Sequence, residues 1–200
     1  MGEGWLTGRT GRQKAWSRHS GWVPDLTLDL KRLAPYLADI HLASGLMGED
    51  PALLAAIMLR ETAAGWGSGY VPQNDPNGTG DHGHGRGLMQ IDDRGPYAKF
   101  LPADPARPWP VLAQCQVACT VLADARAALH AWRWQPGAGR AAVAAYNAGA
   151  RRVAECLRHG LDPDSVTTGK DYSAWVWAKR DALMKAAPES FTLKPPGGAT

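Results

Sequence analysis

The chain has no run of about twenty apolar residues, which excludes a membrane-spanning helix. Its N-terminus has no apolar core of the kind a Sec-type signal needs. The expectation is either a signal already removed or export by another route. Cysteine is scarce: Cys115, Cys119 and Cys156 are an odd set of three, which argues against a disulfide framework. Cys115 and Cys119 share a helical face with Leu112, Leu122 and Leu129 and read as small buried hydrophobes. A single bridge to Cys156 stays open. No GxGxxG spacing and no GK[ST] follow a strand, so dinucleotide and phosphate-loop chemistry are excluded. Metal-ligand spacing is missing around the cysteines, and no metal or organic cofactor is expected. His82 and His84 lie close to Asp81 and Asp92, but a glycine-rich segment is a poor metal scaffold.

A large excess of charge of one sign is also missing. The net charge is +3, and residues 1–22 hold Arg9, Arg12, Lys14 and Arg18 against Glu3. The remainder balances 18 basic against 18 acidic residues, the totals of 22 and 19 less the four and one in that arm. No basic stripe continues into the folded part, so nucleic acid is a poor partner. The composition is that of a soluble globular protein, and 200 residues allow one domain with a real core. Residues 1–25 read as a basic Gly/Trp-rich arm, 26–187 as the domain and 188–200 as a flexible tail.

What is present is concentrated between Leu53 and Asp92. Asp50 is placed to cap a helix and Pro51 suits its first turn. An apolar stripe follows through Leu54, Ile57 and Met58, and its next position is Glu61. A carboxylate therefore stands where a core residue belongs, and Gly65 supplies a helix stop. Burial raises a carboxyl pKa, as a general acid near neutral pH requires. The other reading of Glu61 is a structural ion pair with Arg60 or Arg86. Gly83, Gly85 and Gly87 then alternate before Leu88–Ile91. Glycine at every second strand position leaves bare backbone, against which a flat sugar chain can lie. Residues 82–92 are expected to form a hairpin. A helix-borne Glu61 facing Asp81 and Asp92 is the pair of acid and base that glycoside hydrolysis uses.

The flanking segments read mainly as helices. Leu30, Leu33, Leu37 and Ile40 recur at helical spacing, interrupted by Pro35 and ended by Gly45. Residues 65–80 form a turn-rich loop in which Trp66 and Tyr70 either stack on a ligand or anchor the loop. Residues 111–131 read as the central core helix, with Trp132 and Trp134 packing at its end. Residues 140–148 are a small-residue helix that brings the Tyr146 hydroxyl towards Glu61. Short helices follow at 150–159 and 172–187.

LLAAIMLRETAAG, GRGLMQID and AVAAYNAG, in that order and spacing, resemble the goose-type lysozyme and lytic transglycosylase family, glycoside hydrolase family 23. TTGKDYSAWVWAKR resembles the family's last segment, and the likeness runs from about Leu28 to Ala187. It implies an α+β fold, predominantly α, with a helical core and a small β-hairpin beside a cleft. The activity it implies is inverting hydrolysis of the β-1,4 link between N-acetylmuramic acid and N-acetylglucosamine in bacterial peptidoglycan, by a monomer acting on the cell wall. Glu61 would be the acid, with Asp92 and Asp81 positioning water. Gly87, Met89, Gln90, Tyr146, Asn147, Tyr172 and Trp66 are the expected substrate-binding residues. The basic arm would either hold the protein near the anionic wall or remain a solvated extension. A bacteriophage lysin would need no signal. The rival enzyme readings are a lytic transglycosylase, which forms 1,6-anhydro products, and a chitinase. The non-enzyme readings are a wall-binding module and a phage tail component.

Overall fold

The structure is a computed structural model that describes residues 25–66, 78–80, 83–104, 107–134 and 138–193. Residues 1–24 of the arm, Tyr70, Asp81 and His82 lie outside the described residues. Those described contain seven α-helices: α1 (Leu26–Leu33), α2 (Leu37–Met47), α3 (Pro51–Thr62), α4 (Val111–Ala128), α5 (Ala138–Ala148), α6 (Ala150–Arg158) and α7 (Tyr172–Ala186). Three two-residue strands, β1 (Thr79–Gly80), β2 (Gly85–Arg86) and β3 (Ile91–Asp92), form one antiparallel sheet in that order. The expected α+β, mainly α architecture is present.

The centre of the fold is α3, not α4. The expected stripe is in fact a helix buried all round from Pro51 to Leu59. Each large apolar side chain so buried contributes about 1.5–3 kcal/mol relative to exposure. As expected, Asp50 caps it, its Oδ1 accepting from the Ala52 N–H at 2.9 Å, and Pro51 opens it. The Asp50 Oδ2 also accepts from Arg180 Nε at 2.6 Å. At the other end Arg60 Nη2 donates to Asp171 Oδ1 at 2.7 Å. These two links make α3 and α7 antiparallel neighbours, cross-linked at both ends.

Several boundaries differ from the sequence expectation. Pro35 sits in a 3₁₀ turn, Ala34–Tyr36, that separates α1 from α2. Gly45 stays inside α2, and Gly48, at φ +70°, ends it. A left-handed residue closes a helix most cheaply when it has no Cβ. Past α7, Pro188–Ser190 form a 3₁₀ turn and Phe191 is buried in the core. His41 Nε2 lies 2.7 Å from the Ser190 carbonyl oxygen. Packing therefore continues past residue 187, where the tail was expected to begin. Cys115, Cys119 and Cys156 are free thiols, all buried.

Alanine decides how α5 sits. Ala141, Ala142, Ala144 and Ala145 join Ala125, Leu129, Val153 and Leu157 in a small apolar cluster between α4, α5 and α6. The opposite face of α5 presents Val143 and Tyr146 to the main core. Trp132 packs beside the small cluster, whereas Trp134 is exposed with Arg133 stacked 4.9 Å from its ring.

Candidate active site

Glu61 lies in the last turn of α3, where the buried helix reaches partial exposure. The helix stops at Ala63 rather than at Gly65, and both Ala63 (φ +51°) and Ala64 (φ +54°) are left-handed. Such alanines cost about 1–3 kcal/mol each and need support. Here the Ala63 N–H donates to Leu59 O at 2.9 Å and the Ala64 N–H to Met58 O at 3.3 Å. The Thr62 hydroxyl donates to Leu88 O at 3.0 Å and accepts from the Gly65 N–H at 3.2 Å. The strained turn after Glu61 is thus bolted to the sheet.

The sheet does not offer bare backbone. Only Gly85 of the three alternating glycines lies in a strand; Gly83 (φ +92°) and Gly87 (φ +68°) occupy turn conformations. Residues 87–90 are the turn that joins β2 to β3, so the apolar run Leu88–Ile91 is mostly turn rather than strand. Gly80, Gly85 and Asp92 are cross-strand partners in one row. The Gln90 side chain covers that row: a Cβ on Gly80 would meet its Oε1 at 2.0 Å, and one on Gly85 at 2.3 Å. The glycines make room for a carboxamide, whose Nε2 donates to Gly87 O at 2.8 Å. Gln90 is itself left-handed, at φ +49°.

Two tyrosines frame the acid. Tyr172, at the start of α7, donates its hydroxyl to Glu61 Oε1 and is buried. Tyr146 comes near enough to Glu61 to feel its charge, as expected, and its hydroxyl donates to Met89 O at 2.8 Å. Burial, and then the negative charge of Glu61, push both phenols well above the ordinary tyrosine value. They remain protonated donors at any working pH. The Met89 side chain is fully buried and supports the turn from within the core. Gly87 is buried too. Asn147 accepts the Thr168 N–H at 2.8 Å through Oδ1, tying α5 to the turn before α7.

Arg60 holds Asp171 and Arg86 holds Asp93. Asp92 is half-exposed and accepts from Arg94 three times, from its N–H at 2.7 Å, its Nε at 3.0 Å and its Nη2 at 2.7 Å. The Arg94 hydrogen bond is the main cause that holds the Asp92 carboxyl below the usual aspartate range. Asp92 is therefore ionised near neutral pH, as a base must be.

Sequence reading missed the supports. Gln114 is fully buried, accepts the Leu88 N–H at 2.7 Å and donates to Trp109 O at 2.8 Å. Asp164 is buried and caps α7 from outside, accepting from the Ser173 N–H at 2.7 Å and the Ala174 N–H at 2.9 Å. Arg140 Nη2 donates to the same carboxylate at 2.6 Å. A buried carboxylate at a helix N-terminus fixes where Tyr172 begins. No local pattern marks Asp164, because its partners come from α5 and α7.

A helical core, a short antiparallel sheet and a tyrosine-held carboxyl at a helix end define a lysozyme-like α+β protein. The Lysozyme g family model matches residues 26–184. A lysozyme g of Takifugu rubripes is 34% identical over 168 residues, covering 81% of this chain and 82% of its own. The chain belongs to the lysozyme g family and is a glycoside hydrolase, a lysozyme with peptidoglycan as its substrate.

Proposed function

We propose that the enzyme hydrolyses the β-1,4 bond between N-acetylmuramic acid and N-acetylglucosamine with inversion. Glu61 protonates the bridging oxygen. Asp92 deprotonates a water on the opposite face of the sugar. Asp81 shares in holding that water; it enters on its sequence position, outside the described residues. Support rests on one observation above all: the Tyr172 hydroxyl grips the Glu61 carboxyl at the end of the central buried helix. A fixed acid beside the sugar oxygen is what general acid catalysis needs. Inversion needs about 6.5–9.5 Å between the two carboxyl groups, room for one water.

Glu61→Gln keeps the shape and removes the proton. Lysis of peptidoglycan should fall at least ~100-fold, the scale of a lost general acid, with the melting curve unchanged. Unchanged lysis would remove Glu61 from the acid role.

The Arg94 clamp favours a second reading. An aspartate bound three times by arginine is a weakened base. A transglycosylase needs no water base, because the sugar's own 6-hydroxyl attacks. Mass spectrometry of the digest separates the two, since hydrolysed and 1,6-anhydro products differ by one water. Nuclear magnetic resonance of the fresh reducing end reports the anomer and tests inversion.

A further inference from the structure

Most arginines around the core hold a carboxylate: Arg60, Arg86, Arg94, Arg126, Arg140 and Arg180 each do so. Arg32 is different. Among the described residues it is half-buried and forms no ion pair, and its Nε is buried without a hydrogen-bond partner. Leaving a charged donor so unsatisfied is costly. What Arg32 does touch is Trp66, whose ring centroid lies 5.9 Å from its guanidinium carbon.

Trp66 stands beside the acid. Its N–H donates to Ala63 O at 3.3 Å, which seats it on the turn directly after Glu61. Its side chain is half-exposed, at 50%. Arg32 reaches this place because α1 is docked there. One turn earlier on α1, Asp29 Oδ2 accepts from the buried Lys179 Nζ of α7 at 2.5 Å. Lys179 and Arg60 both stand over Trp175, at 5.2 and 5.3 Å. That face of α1 therefore looks towards the corner where α3 ends and α7 begins. Arg60 also leaves a buried Nη1 without a partner there. Two guanidinium groups beside the acid thus have donors to spare.

We propose that Trp66 and Arg32 form one subsite, with the indole stacking on a sugar ring and Arg32 taking a carboxylate from the glycan's peptide branch. The inference rests on peptidoglycan as the substrate. A guanidinium steadied over an indole is held ready for a planar carboxylate at little entropic cost. A neutral, unbranched β-1,4 glycan carries no such group. Arg32 then sets the preference for branched, acidic chains over chitin-like ones.

The test is a nuclear magnetic resonance titration of the full chain, read at the tryptophan indole N–H signals. The probes are N-acetylmuramyl dipeptide with free carboxylates and the same compound with its carboxylates amidated. Neither contains a glycosidic bond to cleave. The wild type should bind the acid form ~10-fold more tightly, as a charge-assisted contact gives. Arg32→Gln should bind both forms alike, Arg32→Lys should keep part of the preference, and Trp66→Ala should weaken both equally. No preference in the wild type, or an intact one in Arg32→Gln, overturns the subsite. Wild-type lysis of peptidoglycan is scored separately. Lysis without the preference sinks the subsite alone; preference without lysis sinks the muramidase reading alone.

Discussion

The Tyr172 hydroxyl and the Glu61 carboxyl meet across 111 residues of chain, the first residue of α7 closing on the last turn of α3. Two helices locked at both ends hold the pair. Tyr172→Phe keeps the buried ring and deletes only the donor. Losing a hydrogen bond to a charged group costs about 1.5–3 kcal/mol, so kcat should fall ~10- to 100-fold. Stability in urea should change by less than the activity does. An unaltered kcat would show that the carboxyl is oriented by other groups.

Arg94 sets the acid side of the pH profile if Asp92 is the base. The folded pKa of Asp92 lies below its ordinary value of about 3.9. Its ionised form therefore persists down to lower pH, and activity is lost only as pH falls through the folded pKa. Arg94→Gln removes the guanidinium hydrogen bonds, the largest cause that holds the value down, and leaves the backbone N–H in place. The acid limb of kcat/KM should then move to higher pH. In Asp92→Asn that limb should vanish together with hydrolysis. A limb that stays put in Arg94→Gln would take Asp92 out of the base role.

Gly85 and Gln90 are predicted to be coupled. Alanine at 85 places a Cβ 2.3 Å from Gln90 Oε1, the far end of a movable side chain. The carboxamide should swing away and give up its bond to Gly87 O, a loss of about 0.5–1.5 kcal/mol. Gly85→Ala after Gln90→Ala should then cost less than Gly85→Ala alone. A double-mutant cycle from denaturant melts measures this, and strict additivity would refute the coupling.

Asp164 should govern acid stability. Burial raises its pKa, but the N–H groups of Ser173 and Ala174, the Ser173 hydroxyl and Arg140 together bring it below the ordinary value. A depressed carboxyl contributes stability that is fully present above about pH 4 and fades as pH falls through the folded pKa. Asp164→Asn should cost about 1–3 kcal/mol at pH 7 and flatten the loss of stability in acid. Equal acid sensitivity in wild type and variant would move that role to other carboxylates.

The order of helices, the Asp50–Pro51 start and the place of Glu61 at the end of its helix were legible because each is a local signal. Caps, periodicity and short motifs are written within a few residues of one another. The apparent strand from Gly83 to Ile91 was misleading for the same reason. Alternating glycines suggest open backbone, and only the fold shows Gln90 turned back over Gly80 and Gly85. The helix end at Ala63 was hidden because alanine disfavours the left-handed conformation, which hydrogen bonds to Leu59, Met58 and the sheet then impose.

By itself, then, the sequence determined the helical frame, the family and so the kind of chemistry, and the place of Glu61 at the end of the buried helix. Tertiary structure decided that Tyr172 holds Glu61, that Met89 belongs to the core, and that Arg32 has no anionic partner among the described residues. Those outcomes depend on groups that are far apart in the chain. They become neighbours only when the apolar surface of α3 is buried against α7 and the sheet, and hydrophobic burial carries no information about which polar atoms will meet at its edge.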